Sequence, residues 1–320
     1  AVERAMPNII GAYSCILMTA TKLIAFRDPD GFRPLCIGKT TDGAYLVASE
    51  SCALETVGAE FLRDVRPGEI VVIGKDGLRS ITTHCRKSSN ICIFEYIYFA
   101  RPDSVIEGIS VHHARVMAGR ILAKYSPVEA DIVVGVPDSG LDAALGYAEQ
   151  SGIPYGIGFI KNKYIGRSFI QPSQNQRESA VKIKLNAVRE SVRGKRVIMI
   201  DDSIVRGTTS ARIVHLLREA GASEVHVRIS SPVFRHTCHF GTDIDSEENL
   251  IANHCETTED IAKYIGADSL AYLPTEALSE LIGGKQEFCR GCFTGDYPLD
   301  VSGAVSKNKF DEKIHKVTEE

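Results

Sequence analysis

Two styles of hydrophobic patterning divide the chain. From residue 1 to about 85, short apolar runs such as "SCILMTATKLIAF", "PLCIGKT" and "AYLVASE" alternate with turn-forming clusters at "RDPDGFRP" and "TTDGA". This spacing predicts antiparallel sheet, with Asp76 and Gly77 turning one further pair of strands in "RPGEIVVIGKDGLRSI". From about 111 the apolar runs alternate with helical periods, the mark of a parallel sheet flanked by helices. The pattern predicts helices at 111–126, 139–151 and 208–220, and strands at 131–136, near 155–160, at 196–200 and at 224–230. Between 161 and 190 it fails: "KNKYIGRSFIQPSQNQRESAVKIKLNAVRE" is polar and basic without a clean period. A connection of that length belongs to a working loop or an unstructured one.

The strand predicted at 196–200 ends in unusual chemistry. "VIMIDDSIVRGTTSARIVHLLREAG" places Asp201 and Asp202 at the end of an apolar run, followed by Gly207, Thr208, Thr209, Ser210 and an amphipathic helix. Ligands of open parallel sheets bind beyond the carboxyl ends of the strands. A helix starting near Thr208 aims free N–H groups and the positive end of its dipole there, which favours phosphate. Two carboxylates would repel that phosphate unless they face something else, namely sugar hydroxyls or a magnesium ion. A phosphorylated ribose satisfies both halves of the stretch; the plain alternative is a helix cap beside a solvated acid.

Composition narrows the class. With 320 residues, 44% hydrophobic and 24% charged, the chain has enough apolar matter for one large or two ordinary folded domains. A net charge of -4 gives no general affinity for polyanions, which argues against a nucleic-acid partner. No apolar run approaches the roughly 20 residues of a membrane span, and "AVERAMPN" lacks the apolar core of a signal peptide, so no membrane partner and a cytoplasmic location are expected. Nine irregularly spaced cysteines fit reduced thiols or metal ligands better than a disulfide framework. Cys289 and Cys292 form a Cys-x-x-Cys pair, a spacing that lets two thiolates reach one metal but needs further ligands.

"VIMIDDSIVRGTTS" resembles the phosphoribosylpyrophosphate (PRPP) signature of type I phosphoribosyltransferases, and "EYIYFARPDS", "GVPDSG", "KNKYIGRSFIQPSQ" and "KLNAVR" resemble the glutamine PRPP amidotransferases over nearly the whole chain. The resemblance implies an α/β fold: 1–85 as a partial N-terminal-nucleophile glutaminase domain, 86–110 as a connection, 111–275 as a type I phosphoribosyltransferase domain and 276–320 as a helical tail. It implies ammonia displacing pyrophosphate at C1 of PRPP, with inversion, to give 5-phosphoribosylamine at the opening of purine synthesis. In that pattern Asp201 and Asp202 hold the ribose hydroxyls, and Ser203, Gly207, Thr208, Thr209 and Ser210 surround the 5-phosphate. Asp138 and Ser139 form the pyrophosphate loop, Asp201, Asp202 and Ser139 help place magnesium, and Tyr164, Arg167 and Lys184 act from a flap that excludes water.

The same resemblance nominates Cys92 and Cys238 to join Cys289 and Cys292 around a [4Fe-4S] cluster with a structural role; zinc on these thiolates and buried free cysteines are the alternatives. Family members open with a catalytic cysteine, whereas residue 1 here is Ala. The expectation is a fragment or a natural short form that uses free ammonia and lacks glutaminase activity, with the apolar sheet faces of half a domain left uncovered. Purine nucleotides as feedback inhibitors and a homo-oligomer are implied as well. A salvage phosphoribosyltransferase or a non-enzymatic PRPP-sensing regulator would share the 197–210 signature, but neither explains the cysteines together with the flap cations.

Overall fold

The computed structural model describes residues 1–86, 88–162, 185–244, 246–284 and 287–303. The N-terminal region builds two antiparallel sheets. Strands β1 (Ser14–Met18), β2 (Leu23–Arg27), β6 (Ile70–Gly74) and β7 (Gly77–Ile81) form one in the order β1-β2-β6-β7, with Lys75 and Asp76 making the tight β6–β7 turn. The other has the order β4-β3-β5, from β3 (Cys36–Lys39), β4 (Tyr45–Ala48) and β5 (Glu60–Asp64), with helix α1 (Ser51–Thr56) between β4 and β5. Ala25 and Val71 from the first sheet pack on Leu35, Ile37 and Val65 beside the second, because alternate side chains of each strand share a face. Edge strand β1 leaves Ile16, Leu17 and Met18 exposed, while Phe26 and Ile70, on the face of the sheet opposite Ala25 and Val71, are buried with Met6.

After a two-stranded hairpin, β8 (Val105–Ile106) with β9 (Ile109–Ser110), the second half is a parallel sheet in the order β10-β13-β14-β15, from β10 (Ile132–Gly135), β13 (Arg196–Asp201), β14 (Glu224–Ile229) and β15 (Ser269–Tyr272). Helices α2 (Val111–Tyr125) and α3 (Gly140–Ser151) lie over one face, and α4 (Thr208–Glu219) and α5 (Thr258–Ile265) over the other. Ile198 and Ile200 of β13 enter the first layer and Val197 and Met199 the second, which is why this strand reads as an unbroken apolar run. Thr257 caps α5 in a reciprocal capping box with Asp260. Among the described residues, no helix is long and apolar enough to cross a membrane.

One expectation needs correction. The strand placed near 155–160 is β11 (Phe159–Lys161), which pairs antiparallel with β12 (Leu185–Ala187) outside the parallel sheet. Pro154–Gly156 bonds to β10, through the Val133 N–H to the Pro154 carbonyl (2.9 Å) and the Gly156 N–H to the Val133 carbonyl (2.9 Å). A Cβ on Gly156 would sit 2.5 Å from Ile132 Cδ1 and one on Gly158 2.7 Å from Val134 Cβ, so the chain crosses β10 flush against it and then leaves.

Candidate active site and a cysteine pocket

The acidic pair stands where β13 ends, both side chains buried. The loop after β10 brings Ser139 to it: the Val136 N–H donates to the Ile200 carbonyl (2.8 Å), and a Cβ on Gly140 would lie 2.5 Å from the same oxygen. This close approach starts α3 directly against β13, and the Ser139 hydroxyl donates to one Asp202 carboxylate oxygen while the Ser203 hydroxyl donates to the other. Asp201 Oδ1 accepts the Asp202 N–H at 2.9 Å. The peptide bond between Pro137 and Asp138 is cis. Asp138 itself points outward and pairs with Lys161.

Across the crevice, Gly207 adopts φ 76°, a left-handed conformation natural to glycine, and turns the chain into α4. Among the described residues no side chain caps that helix, so its first amides are available to an anion. Thr208 and Thr209 are exposed there, whereas Ser210 is buried. A Cβ on Gly207 would lie 2.4 Å from Ile251 Cδ1, and the Ile251 N–H donates to the Val205 carbonyl (2.9 Å), so the 250–254 segment backs the loop. Asp201, Asp202, Ser139, Ser203, Gly207, Thr208 and Thr209 therefore share one crevice; Tyr164, Arg167 and Lys184 lie outside the described residues.

Burial raises the pKa of both acids. Asp201 is pushed well up by burial and then by the charge of Asp202. Asp202 is pushed up by burial too, but the Ser139 and Ser203 hydroxyls and the Arg115 guanidinium draw it back. Adjacent buried carboxylates resist ionising together unless hydroxyl donors or a cation face them. Their donor set fits ribose hydroxyls and magnesium. Arg115, which sequence reading overlooked, is buried on α2 and donates to the Tyr96 (2.9 Å) and Ala100 (2.7 Å) carbonyls. An arginine on the apolar face formed by Val111, Ala114, Ala118 and Leu122 was the available signal.

A second convergence involves four free, buried thiols. Cys92 and Cys289 lie opposite each other in a parallel bridge, made by the Ile93 N–H to the Cys289 carbonyl (3.1 Å) and the Cys289 N–H to the Ile91 carbonyl (2.9 Å). Cys238 Sγ accepts the Phe240 and Thr242 N–H groups at 3.4 and 3.3 Å. The Cys292 carbonyl accepts from the Arg235 and His236 N–H groups, both at 3.1 Å. Burial drives the Cys92 and Cys292 thiols far up and Cys289 up to about 11, and each feels the charge of other members of the set. Among the described residues, no three His, Cys, Asp or Glu side chains are arranged to hold a single metal ion. A multi-iron cluster spans more space than one ion, and N–H donors to sulfur are the contacts that tune such clusters.

Residues 108–234 match the model of the phosphoribosyl transferase domain. The chain is 51% identical over 95% of its length to an amidophosphoribosyltransferase of Archaeoglobus fulgidus, covering 66% of that protein. It is 48% identical over 94% of its length to one of Methanocaldococcus jannaschii, covering 67% of it. The solved structure of glutamine phosphoribosylpyrophosphate (PRPP) amidotransferase from B. subtilis complexed with ADP and GMP superposes with a TM-score of 0.84 at 52% identity, over 94% of this chain and 67% of that one. The chain spans about two thirds of the length of these relatives.

Proposed function

The chain belongs to the amidophosphoribosyltransferase family, and we propose that it carries the phosphoribosyl-transfer half of that chemistry, in which ammonia displaces pyrophosphate at C1 of PRPP to give 5-phosphoribosylamine. The carrying observation is the buried Asp201–Asp202 pair, held by Ser139 and Ser203 and facing the uncapped start of α4. Phosphate at the α4 terminus places the ribose across the crevice, where the pair accepts its hydroxyl hydrogens. As the C1–O bond breaks, its electron pair leaves with pyrophosphate and C1 becomes positive; the carboxylates favour that charge. Ammonia forms the C1–N bond on the opposite face, which inverts C1, and then gives up a proton.

Magnesium, held with the pyrophosphate by Asp201, Asp202 and Ser139, would neutralise the leaving charge. Asp138 and Ser139 would position the pyrophosphate, and Tyr164, Arg167 and Lys184 would close over it. Cys92, Cys238, Cys289 and Cys292 fit a [4Fe-4S] cluster with a structural role. The two N-terminal sheets, residues 1–85, would belong to a glutaminase domain that supplies ammonia in the longer relatives; 86–110 would connect it to a transferase domain over 111–275, with 276–320 as the tail. Purine nucleotides acting as inhibitors, and assembly into a homo-oligomer, accord with this reading.

The test is 5-phosphoribosylamine formation from PRPP, magnesium and ammonia by this chain, purified without oxygen. Product that disappears in Asp202→Asn supports the assignment. Absence of PRPP binding to the folded chain would remove it.

A further inference from the structure

We propose that Arg33 is a positioning residue for the cysteine pocket, making occupancy of the four thiols and docking of the N-terminal sheets mutually dependent; the inference rests on the cluster reading above. Arg33 lies between β2 and β3 of the N-terminal region, yet its guanidinium reaches the other half of the molecule. Nη1 pairs with Glu95 at 2.5 Å and Nη2 donates to the Phe240 carbonyl at 2.9 Å. These partners stand three residues after Cys92 and two after Cys238. A Cβ on Gly241 would lie 2.7 Å from Nη2, so the guanidinium also lies flush on the loop whose Phe240 and Thr242 amides donate to Cys238. One face rests on the Phe99 ring, 4.8 Å from its centroid.

The neighbouring Phe32 strengthens this bridge. Its carbonyl accepts the Cys92 N–H at 3.1 Å, and its ring stacks on Phe240 with centroids 4.2 Å apart. Arg33 is anchored from behind, because its own carbonyl accepts Nε–H of the buried Arg27 at 2.6 Å. Burial lowers the Arg33 pKa, but the charges of Cys92, Glu95 and Cys238 more than restore it. The segments that carry Cys92 and Cys238 are thus oriented by one side chain that belongs to the N-terminal region. By linkage, whatever orders the thiols must hold that region more tightly, and the reverse.

The test uses the full chain, reconstituted anaerobically with ferrous iron and sulfide. Iron and sulfide per chain, the rate of iron loss to a chelator, and amide hydrogen exchange over residues 28–36 are measured. In the unsubstituted protein, exchange over 28–36 is expected to slow about tenfold on loading, within the usual range of site coupling. Arg33→Met is expected to lose iron about tenfold faster, with Arg33→Lys between the two, a loss of charge-assisted contacts. Unchanged exchange on loading would overturn the proposal without recourse to any variant, as would loss from Arg33→Met within twofold of the parent rate. If the parent binds PRPP but takes up no iron and sulfide, the cluster reading fails and the proposal falls with it.

Discussion

Helices α2 and α3 touch backbone to backbone, and Gly146→Ala asks whether that contact sets the geometry of the acidic pair. A methyl on Gly146 would lie 1.9 Å from the Val116 carbonyl oxygen, and one on Gly119 1.8 Å from that of Ala143. Carbon and oxygen normally approach to about 3.3 Å, so α3 must withdraw by roughly 1.4 Å. Backbone cannot escape by changing rotamer, and a gap of this order forfeits a quarter to a half of the dispersion attraction across the contact. Overpacking costs about 1–3 kcal/mol, and the lost attraction adds to it, against up to about 1 kcal/mol gained from the helix propensity of Ala. A net loss of about 2 kcal/mol is expected from these terms. Withdrawal of α3 as a body also pulls Gly140 off the Ile200 carbonyl it lies flush against, and so draws Ser139 from Asp202. The readouts are the urea midpoint and the PRPP dependence of product formation, where a displacement near 1 Å can cost up to about 100-fold. A variant as stable as the parent, with unchanged kinetics, would refute the reasoning.

Three further outcomes are expected. Asp201 has a pKa raised above 3.8 in the folded chain, so its contribution to stability is complete below that value and is lost as pH rises through the folded pKa. In Asp201→Asn, denaturation midpoints followed from pH 4 to 8 should fall less steeply, while PRPP affinity drops; equal slopes would show that Asp201 titrates normally. Magnesium and PRPP should favour the ionised pair, so binding is expected to release protons and to tighten as pH rises; calorimetry in buffers of different ionisation enthalpy measures this, and proton uptake would contradict it. Arg27 is buried and donates to the Arg33, Val65 and Gly31 carbonyls and to Glu107. Arg27→Met should destabilise the N-terminal region by about 3–5 kcal/mol, seen as accelerated proteolysis within residues 1–85.

The parallel half was legible because its elements are long and sharply ended. Helices predicted at 111–126 and 208–220 occupy Val111–Tyr125 and Thr208–Glu219, and the apolar run before Asp201 is the two-faced strand β13. β15 and α5 escaped notice: "SLAY" is too short to show a period, and the strand is defined by its register with β14, such as Ile229 opposite Tyr272. β11 was placed in the wrong sheet because an apolar run does not reveal its partner. Arg115 and Arg33 were overlooked for a related reason. Both bind backbone carbonyls distant in sequence, which leave no residue signature. The cysteine set was visible only through the resemblance, apart from the Cys289–Cys292 pair.

Two buried carboxylates side by side destabilise a fold, so their retention at the end of β13 marks a place shaped for a ligand rather than for packing. The four buried thiols are a second such place on the cluster reading, and the chain connects the two directly. The Ser230 N–H donates to the Asp201 carbonyl (2.9 Å), and from there the chain leaves β14 and runs through Phe234 to Cys238. On the other side, Arg115 lends its charge to Asp202 while gripping the carbonyls of Tyr96 and Ala100, shortly after Cys92. Phe94 and Phe234 close the space between these paths, edge to face, with centroids 5.3 Å apart. Loosening the pocket must therefore reach the acidic pair along both its flanks. Under the proposed reading, a group held by the four thiols would act on the geometry of the acidic pair without touching it.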